Sequence, residues 1–422
     1  MSVAPETPQK LIVRTVPLRD GRDLLTHLPP HGPFAWIHGG DGIVAWGSAA
    51  RLRLPAEEGG QGTERFTAAS RWLDDLMATV VVDDSVELPG TGPVVFGSFT
   101  FDPGSAGSTL VLPRVIVGRR DGRSWLTTVC DRPDTHPEEL LTRVTPPRRV
   151  GPLRWSSGAL SADEWGRAVT AAVRRIRAGD LDKVVLARDL YVDAEAGIDV
   201  RSLLGRLSRD HPDCYTFSVA GMVGATPELL IRRQGDAVSS LVLAGTRPRG
   251  GDAQEDTALA DELLSSPKDL EEHRYAIDSL RTTLAPLCSS IDVPERPELL
   301  RLANVQHLAS PARATLSPGT STLDVVAALH PTAAVGGTPT ATAMPLIREL
   351  EGMDRGRYAA PVGWIDAQGN GEWGIALRCA EIEGSRARLF AGGGIVAGSD
   401  PTAEVAETEA KFRVMREALT DD

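Results

Sequence analysis

Hydrophobic and polar positions along this chain follow two periods, and the changes between them divide the sequence. Residues 1 to about 20 read as a loose lead-in. From about 34 to 128, short apolar runs alternate with Gly and Pro turns: FAWIHG, GIVAWG, VVFGSFTF, STLVLPRVIVG and WLTTV. That pattern predicts a β-rich segment with few helices. Residues 131–156 hold five prolines and dense charge and read as a connector. A helix then opens at Ser161, where Ser161 and Glu164 have capping-box spacing and Trp165, Val169, Val173 and Ile176 recur on one face. Gly179 stops it.

Strands follow in KVVLARDLYVDA, TFSVAGMVGAT, ELLIRRQG and AVSSLVLAG. A long helical region covers about 253–286, with a break near Pro267. Strand patterns return at about 360–395, where PVGWIDAQG, GEWGIALRCAEIEG and ARLFAGGGIV are rich in β-branched and aromatic residues. Asp400 and Pro401 fit the N-cap and N1 positions of a last helix. Runs of strands separated from helices predict an α+β fold with large sheets, since a doubly wound fold would alternate strand and helix more regularly.

Composition narrows the function classes. The chain has 422 residues, 41% hydrophobic, enough for a large core. A net charge of −12 and a pI near 5.3, with no basic stripe, argue against binding nucleic acid or anionic membranes. The spacing of Cys130, Cys214, Cys288 and Cys379 suggests neither zinc nor redox chemistry, so reduced, buried thiols are expected. The N-terminus has no basic segment leading into an apolar run, and no stretch approaches a membrane span. A cytoplasmic protein is the expectation, and a monomer is the default. No internal repeat, phosphate-binding loop, nucleophile elbow or dinucleotide fingerprint is present.

Several residues could carry chemistry. Glu404, Glu407 and Lys411 are spaced to share one helix face. Spacing alone reads as a solvated face with a weak ion pair. The preceding loop changes that, because three consecutive glycines let backbone amides approach a ligand closely. On the middle helix, Asp269 and Glu272 lie three apart. Carboxylates from two distant helices, with water, suit Mg²⁺, which prefers oxygen ligands. Lys183 opens a strand, and a desolvated lysine there could act as a base. Glu228 sits where a strand starts after Pro227, and a turn residue is the plainer reading. His307 and His330 lie in apolar surroundings, where each reads singly as a hydrogen-bonded core histidine. Arg378, placed mid-strand, needs an anion if it faces inward. The LAGTRPRG turn, with Gly245 and Thr246, could present amides and a hydroxyl.

Taken together and in order, DKVVLAR, ATPELLIRR, LAGTRPRG, SSPKDLEEH, VQHLAS, LHPTAAVGGTP, RGRYAAPVGWID, GNGEWGIALRCAEI, RLFAGGGIV and AEVAETEAK resemble the chorismate-utilising enzymes. That family includes isochorismate synthase, salicylate synthase and the first components of anthranilate and aminodeoxychorismate synthases. The resemblance runs from about 160 to 418 and is looser before 150. It implies two large stacked antiparallel β-sheets with helices packed outside. It also implies that residues 1–155 and 156–422 form one intertwined domain.

Particular positions carry further implications. A lysine at position 183, where ammonia-using members have glutamine, implies water as nucleophile and no glutamine amidotransferase subunit. Ala244, where aminodeoxychorismate synthase has a lysine, closes a covalent route. Val335, where salicylate synthases have a threonine, implies a reaction that stops at isochorismate; pyruvate elimination to salicylate is the alternative. By the same resemblance, Lys183 is the base and Glu228 the acid for the departing C4 hydroxyl, which requires a raised glutamate pKa. Glu272 and Glu407 would hold Mg²⁺, supported by Glu404 and Asp269. Arg378, Lys411 and amides near Gly392 would hold the enolpyruvyl carboxylate. Gly245 and Thr246 would contact the ring side, and His307 would lie near the ring carboxylate and leaving group. The product would serve menaquinone or siderophore biosynthesis.

Overall fold

The computed structural model describes residues 10–57, 62–131, 141, 145–301 and 305–420, leaving aside the side chains of Lys268 and Glu272. Two sheets of 13 and 10 strands organise the chain. Nearly all their pairings are antiparallel; the exception is Leu11–Pro17 beside Val80–Asp84 at one edge. The expected stacked α+β architecture is what the chain adopts. Both sheets mix early and late strands. Phe34–His38 pairs with Tyr215–Val219, and Val94–Ser98 pairs with Pro361–Asp366. The main core lies between the sheets, around Trp36, Phe96, Phe217, Trp364 and Trp373, each at most 1% exposed.

Local rules explain the helices that frame the site. The Ser161 hydroxyl accepts from the Glu164 N–H, and the Glu164 carboxylate accepts from the Ser161 N–H, so both ends of the capping box are made. The helix Ala162–Arg177 buries Trp165, Val169, Val173 and Ile176 as its spacing predicts. It stops before Gly179, whose φ of +86° suits a residue without Cβ. The middle helical region is two helices, Ala253–Ser265 and Pro267–Leu284, with Ser266 capping the second. Asp400 caps the last helix, Pro401–Leu419, by accepting from the Ala403 N–H at 2.9 Å.

Two expectations need correction. The N-terminal lead-in contains a strand, Leu11–Pro17, whose Val13 is wholly buried. Pairing with Arg123–Cys130 and Val80–Asp84 gives this short apolar run its place. Arg378 is not mid-strand. Gly371–Ile375 belongs to the smaller sheet and Cys379–Glu383 to the larger, so the chain crosses between sheets at 376–378. Arg378 makes the crossing with φ +46°, a conformation uncommon for a residue with a Cβ.

Among the described residues no helix is long and apolar enough to cross a membrane. None of the four cysteines is in a disulfide; Cys379 is buried and the other three are half-buried.

Candidate active site

The site is built on two neighbouring strands of the larger sheet. Lys183–Ala194 runs antiparallel to Arg386–Ile395, placing Val185 opposite Gly394 and Ala187 opposite Gly392. The three glycines are required by what lies over them. A Cβ on Gly394 would come within 2.8 Å of the Lys183 Cε. One on Gly393 would lie 3.0 Å from a Glu404 carboxylate oxygen and 4.0 Å from one of Glu407. One on Gly392 would meet the Leu186 carbonyl at 2.9 Å. Without side chains, this strand lets the lysine and the two glutamates close onto its backbone. Beside it opens a cleft of about 120 Å³, lined by Val185, Val335, Tyr358, Arg378, the three glycines and Lys411.

Glu228 precedes the strand Leu229–Gln234. Its N–H donates to the Thr226 hydroxyl at 3.2 Å and its C=O accepts from the Ile375 N–H at 3.1 Å, which fixes the backbone. Burial pushes the carboxyl up to about 7, while the Lys183 and Arg378 cations pull it down. The group is therefore part protonated near neutrality, as a general acid must be. Arg378 also acts electrostatically on His307 and Lys411. The crossing between the sheets thus sets one cation among three other candidate residues.

On the last helix the Lys411 ammonium donates to the Gly392 carbonyl at 2.7 Å and pairs with Glu407 at 2.6 Å. Burial lowers the Lys411 pKa against the pull of Glu407, and Arg378 adds to the lowering. Burial raises the Glu404 pKa. A 2.7 Å hydrogen bond from the Ser399 hydroxyl opposes that rise, and neighbouring Glu407 adds to it. Two adjacent carboxylates, one strained toward protonation, form a donor pair that gains from a hard cation.

The smaller sheet brings a second group of candidates within reach of the Arg378 and Lys411 charges. Gly245, at φ +80°, interrupts the register between Ala237–Pro248 and Val305–Leu316, and the ladder resumes with Thr246 opposite His307. The Thr246 hydroxyl lies 2.9 Å from His307 Nδ1. Burial, with Arg378 and Lys411 nearby, lowers the His307 pKa to about 4, so its ring is neutral at neutral pH. Asp269, buried beside Gly245, pairs with Arg247 at 3.0 Å. His273 anchors the same helix by donating to the Ala244 carbonyl at 3.1 Å.

Lys183, Glu228, Arg378, His307, Lys411, Glu407, Glu404 and Gly392 are therefore linked by contact or by charge. Thr246 and Gly245 join through His307. Asp269 is engaged with Arg247, and the Glu272 side chain lies outside the described residues. Among the described residues no three His, Cys, Asp or Glu side chains gather as a metal cage. The Glu404–Glu407 pair still fits Mg²⁺, which typically takes one or two protein carboxylates and completes its shell with water and substrate oxygens.

Two contributors carried no signal of their own in the sequence. Tyr358 lines the cleft, stacked on Phe390 with ring centroids 4.9 Å apart. Arg355 also borders it, buried with Glu351. Neither tyrosine nor arginine announces a role by spacing, and both depend on partners distant in sequence.

Comparison with known proteins identifies the family of the chain. The chorismate binding enzyme family model matches residues 38–420. Over 408 residues the chain is 38% identical to the salicylate biosynthesis isochorismate synthase of Pseudomonas aeruginosa, covering 90% of this chain and 83% of that protein. It is 42% identical over 272 residues to the isochorismate synthase DhbC of Bacillus subtilis, covering 62% and 68%. The fold is similar to that of the menaquinone-specific isochorismate synthase MenF of Escherichia coli, with TM-score 0.81, 26% identity and coverage of 99% and 97%. The chain belongs to the chorismate-binding enzyme family.

Proposed function

We propose that this protein is a magnesium-dependent isochorismate synthase. It converts chorismate reversibly to isochorismate by adding water at C2 and releasing the C4 hydroxyl, with the ring double bonds shifting between them. One observation carries the reading. A glutamate poised near 7 lies within the charge field of Lys183 and of Arg378, and Arg378 lines the cleft and also acts on His307.

Lys183 takes a proton from the attacking water. Glu228, protonated in part at neutral pH, gives one to the departing hydroxyl. Positioned proton transfer of this kind contributes about 10²–10⁴ in rate per group. Lys411 and Arg378 bind the enolpyruvyl carboxylate beside the Gly392 backbone. His307, held neutral, and Thr246 border the ring at the Gly245 bulge. Glu404 and Glu407, with Glu272 and Asp269 from the middle helix, would hold Mg²⁺. When bound, the ion neutralises the ring carboxylate and orients it.

The lysine at position 183 supports water rather than ammonia as nucleophile, so no glutamine-hydrolysing subunit is needed. The apolar Val335 in the cleft wall supports stopping at isochorismate rather than eliminating pyruvate to salicylate. We place the enzyme in the cytoplasm, acting as a monomer in menaquinone or siderophore biosynthesis; one similar enzyme is menaquinone-specific and another vibriobactin-specific. We also read residues 1–155 and 156–422 as parts of one intertwined domain.

The test is incubation with chorismate and Mg²⁺ followed by product separation. Isochorismate without stoichiometric pyruvate is expected; equal salicylate and pyruvate would reject the reading. Lys183→Ala should lose turnover, and wild-type turnover in that variant would remove the lysine from its role.

A further inference from the structure

The strand that carries Lys183 lacks a neighbour where the site needs it most. On one edge it is paired with Arg386–Ile395 throughout. On the other, Leu153–Ser157 covers only residues from Leu190 onward, and Gly337–Thr338 covers only Lys183 and Val184. The backbone groups of Val185 and Ala187 point into this gap, and loop and side-chain atoms fill it. The Val185 N–H donates to the Gly336 carbonyl at 2.9 Å. The Val185 carbonyl accepts from Arg355 Nη2 at 2.8 Å. The Ala187 N–H donates to Glu351 at 2.7 Å, and its carbonyl accepts from the Trp165 indole at 3.0 Å.

Arg355 does more than close the gap. Its Nη1 donates to the Val335 carbonyl at 2.8 Å, while Nη2 holds Val185 and pairs with Glu351 at 2.6 Å. Its guanidinium lies over the Phe101 ring, 4.1 Å from the centroid. Val185 and Val335 both line the cleft. One planar fork therefore ties the lysine strand to the Val335 turn at the cleft, and Glu351 fixes the fork to the strand. A buried ion pair is weak evidence for stability, because desolvation offsets much of the attraction. Its geometric specificity is the stronger reason for an arginine here, since only a planar fork meets two carbonyls and a carboxylate at once.

We infer that Arg355 and Glu351 are positioning residues for the reaction. They stand in for a missing strand and set the spacing between the lysine strand and the Val335 loop. This rests on the proposed role of Lys183. The pair acts through where it places the base and the Val335 turn. Misplacing such groups by about 1 Å costs on the order of 10²-fold in rate.

The test uses Arg355→Lys, which keeps the buried charge but cannot span both carbonyls, and the double variant Glu351→Gln/Arg355→Met, which removes both charges together. Thermal melting, kcat and KM for chorismate are read for each. The expected result is a folded protein with kcat reduced on the order of 10²-fold and KM changed by less than about threefold, because the substrate-carboxylate cations are untouched. Folded variants with kcat within about threefold of wild type would overturn the inference. So would failure of both variants to fold, which would assign the pair to stability alone. The wild-type product is identified separately. If it is not isochorismate, the functional reading fails, while a selective fall in kcat for whatever product forms still supports the positioning role.

Discussion

Replacing Glu228 with glutamine removes a proton donor and a buried charge together, and the two losses pull in opposite directions. The carboxyl rises from its ordinary 4.5 to about 7 because burial disfavours the charged form more than Lys183 and Arg378 favour it. The folded protein therefore keeps this proton over a range where the unfolded chain has released it. Stability from the site is full below 4.5 and is lost as pH rises through 7. At about 1.4 kcal/mol per pH unit the loss reaches roughly 3 kcal/mol once the group is ionised in both states. Glu228→Gln does not titrate, so it should match wild type near pH 4.5 and exceed it by up to roughly 3 kcal/mol at pH 8. Its turnover should fall by about 10²–10⁴. Calorimetric melting at pH 5 and pH 8, with chorismate turnover at both, reads the two effects on one sample. A variant with wild-type kcat, or with no relative gain in stability between those pH values, would refute the reasoning.

Other outcomes follow from the same geometry. Gly394→Ala brings a methyl within 2.8 Å of the Lys183 Cε, a movable side chain, so kcat should fall while the melting temperature barely moves. Gly393→Ala presses on Glu404 at 3.0 Å and should raise the Mg²⁺ concentration needed for half-maximal activity, read by metal titration. Glu404→Gln and Glu407→Gln should each raise that requirement at least about tenfold, in line with carboxylates that hold the ion, and chelation with EDTA should stop turnover without unfolding the protein. Residues 156–422 expressed alone should not melt cooperatively, because Tyr215–Val219 would lose Phe34–His38 and Pro361–Asp366 would lose Val94–Ser98.

What the sequence made legible was local. The capping box at Ser161 and the run KVVLARDLYVDA define a helix and a strand by nearest-neighbour chemistry, and both formed where their patterns lie. Ser266 and Pro267 divided the middle helices in the same way. Long-range context decided the rest. The strand Val305–Leu316 contains Pro311, which argues against a central strand. It is tolerated because Glu298–Arg301 covers one edge only to Ala309 and Cys288–Asp292 resumes at Arg313. The missing proline N–H falls in that gap. GEWGIALRCAEIEG looked continuous because nothing in its composition marks a passage between sheets. Of the site, the glycines and carboxylates were visible as residue types, and the ordered resemblance assigned their roles. Arg355 and Glu351 were not visible, since their partners at Val185, Ala187 and Val335 lie far away in sequence.

In the proposed reaction water, activated at Lys183, becomes the C2 hydroxyl of the product. Running the reaction in ¹⁸O-labelled water with chorismate and Mg²⁺ tests it most directly. Isochorismate carrying one solvent oxygen at C2 is expected, with the original C4 oxygen released to water. Isochorismate with no solvent label, its C4 oxygen moved within the molecule, would contradict it.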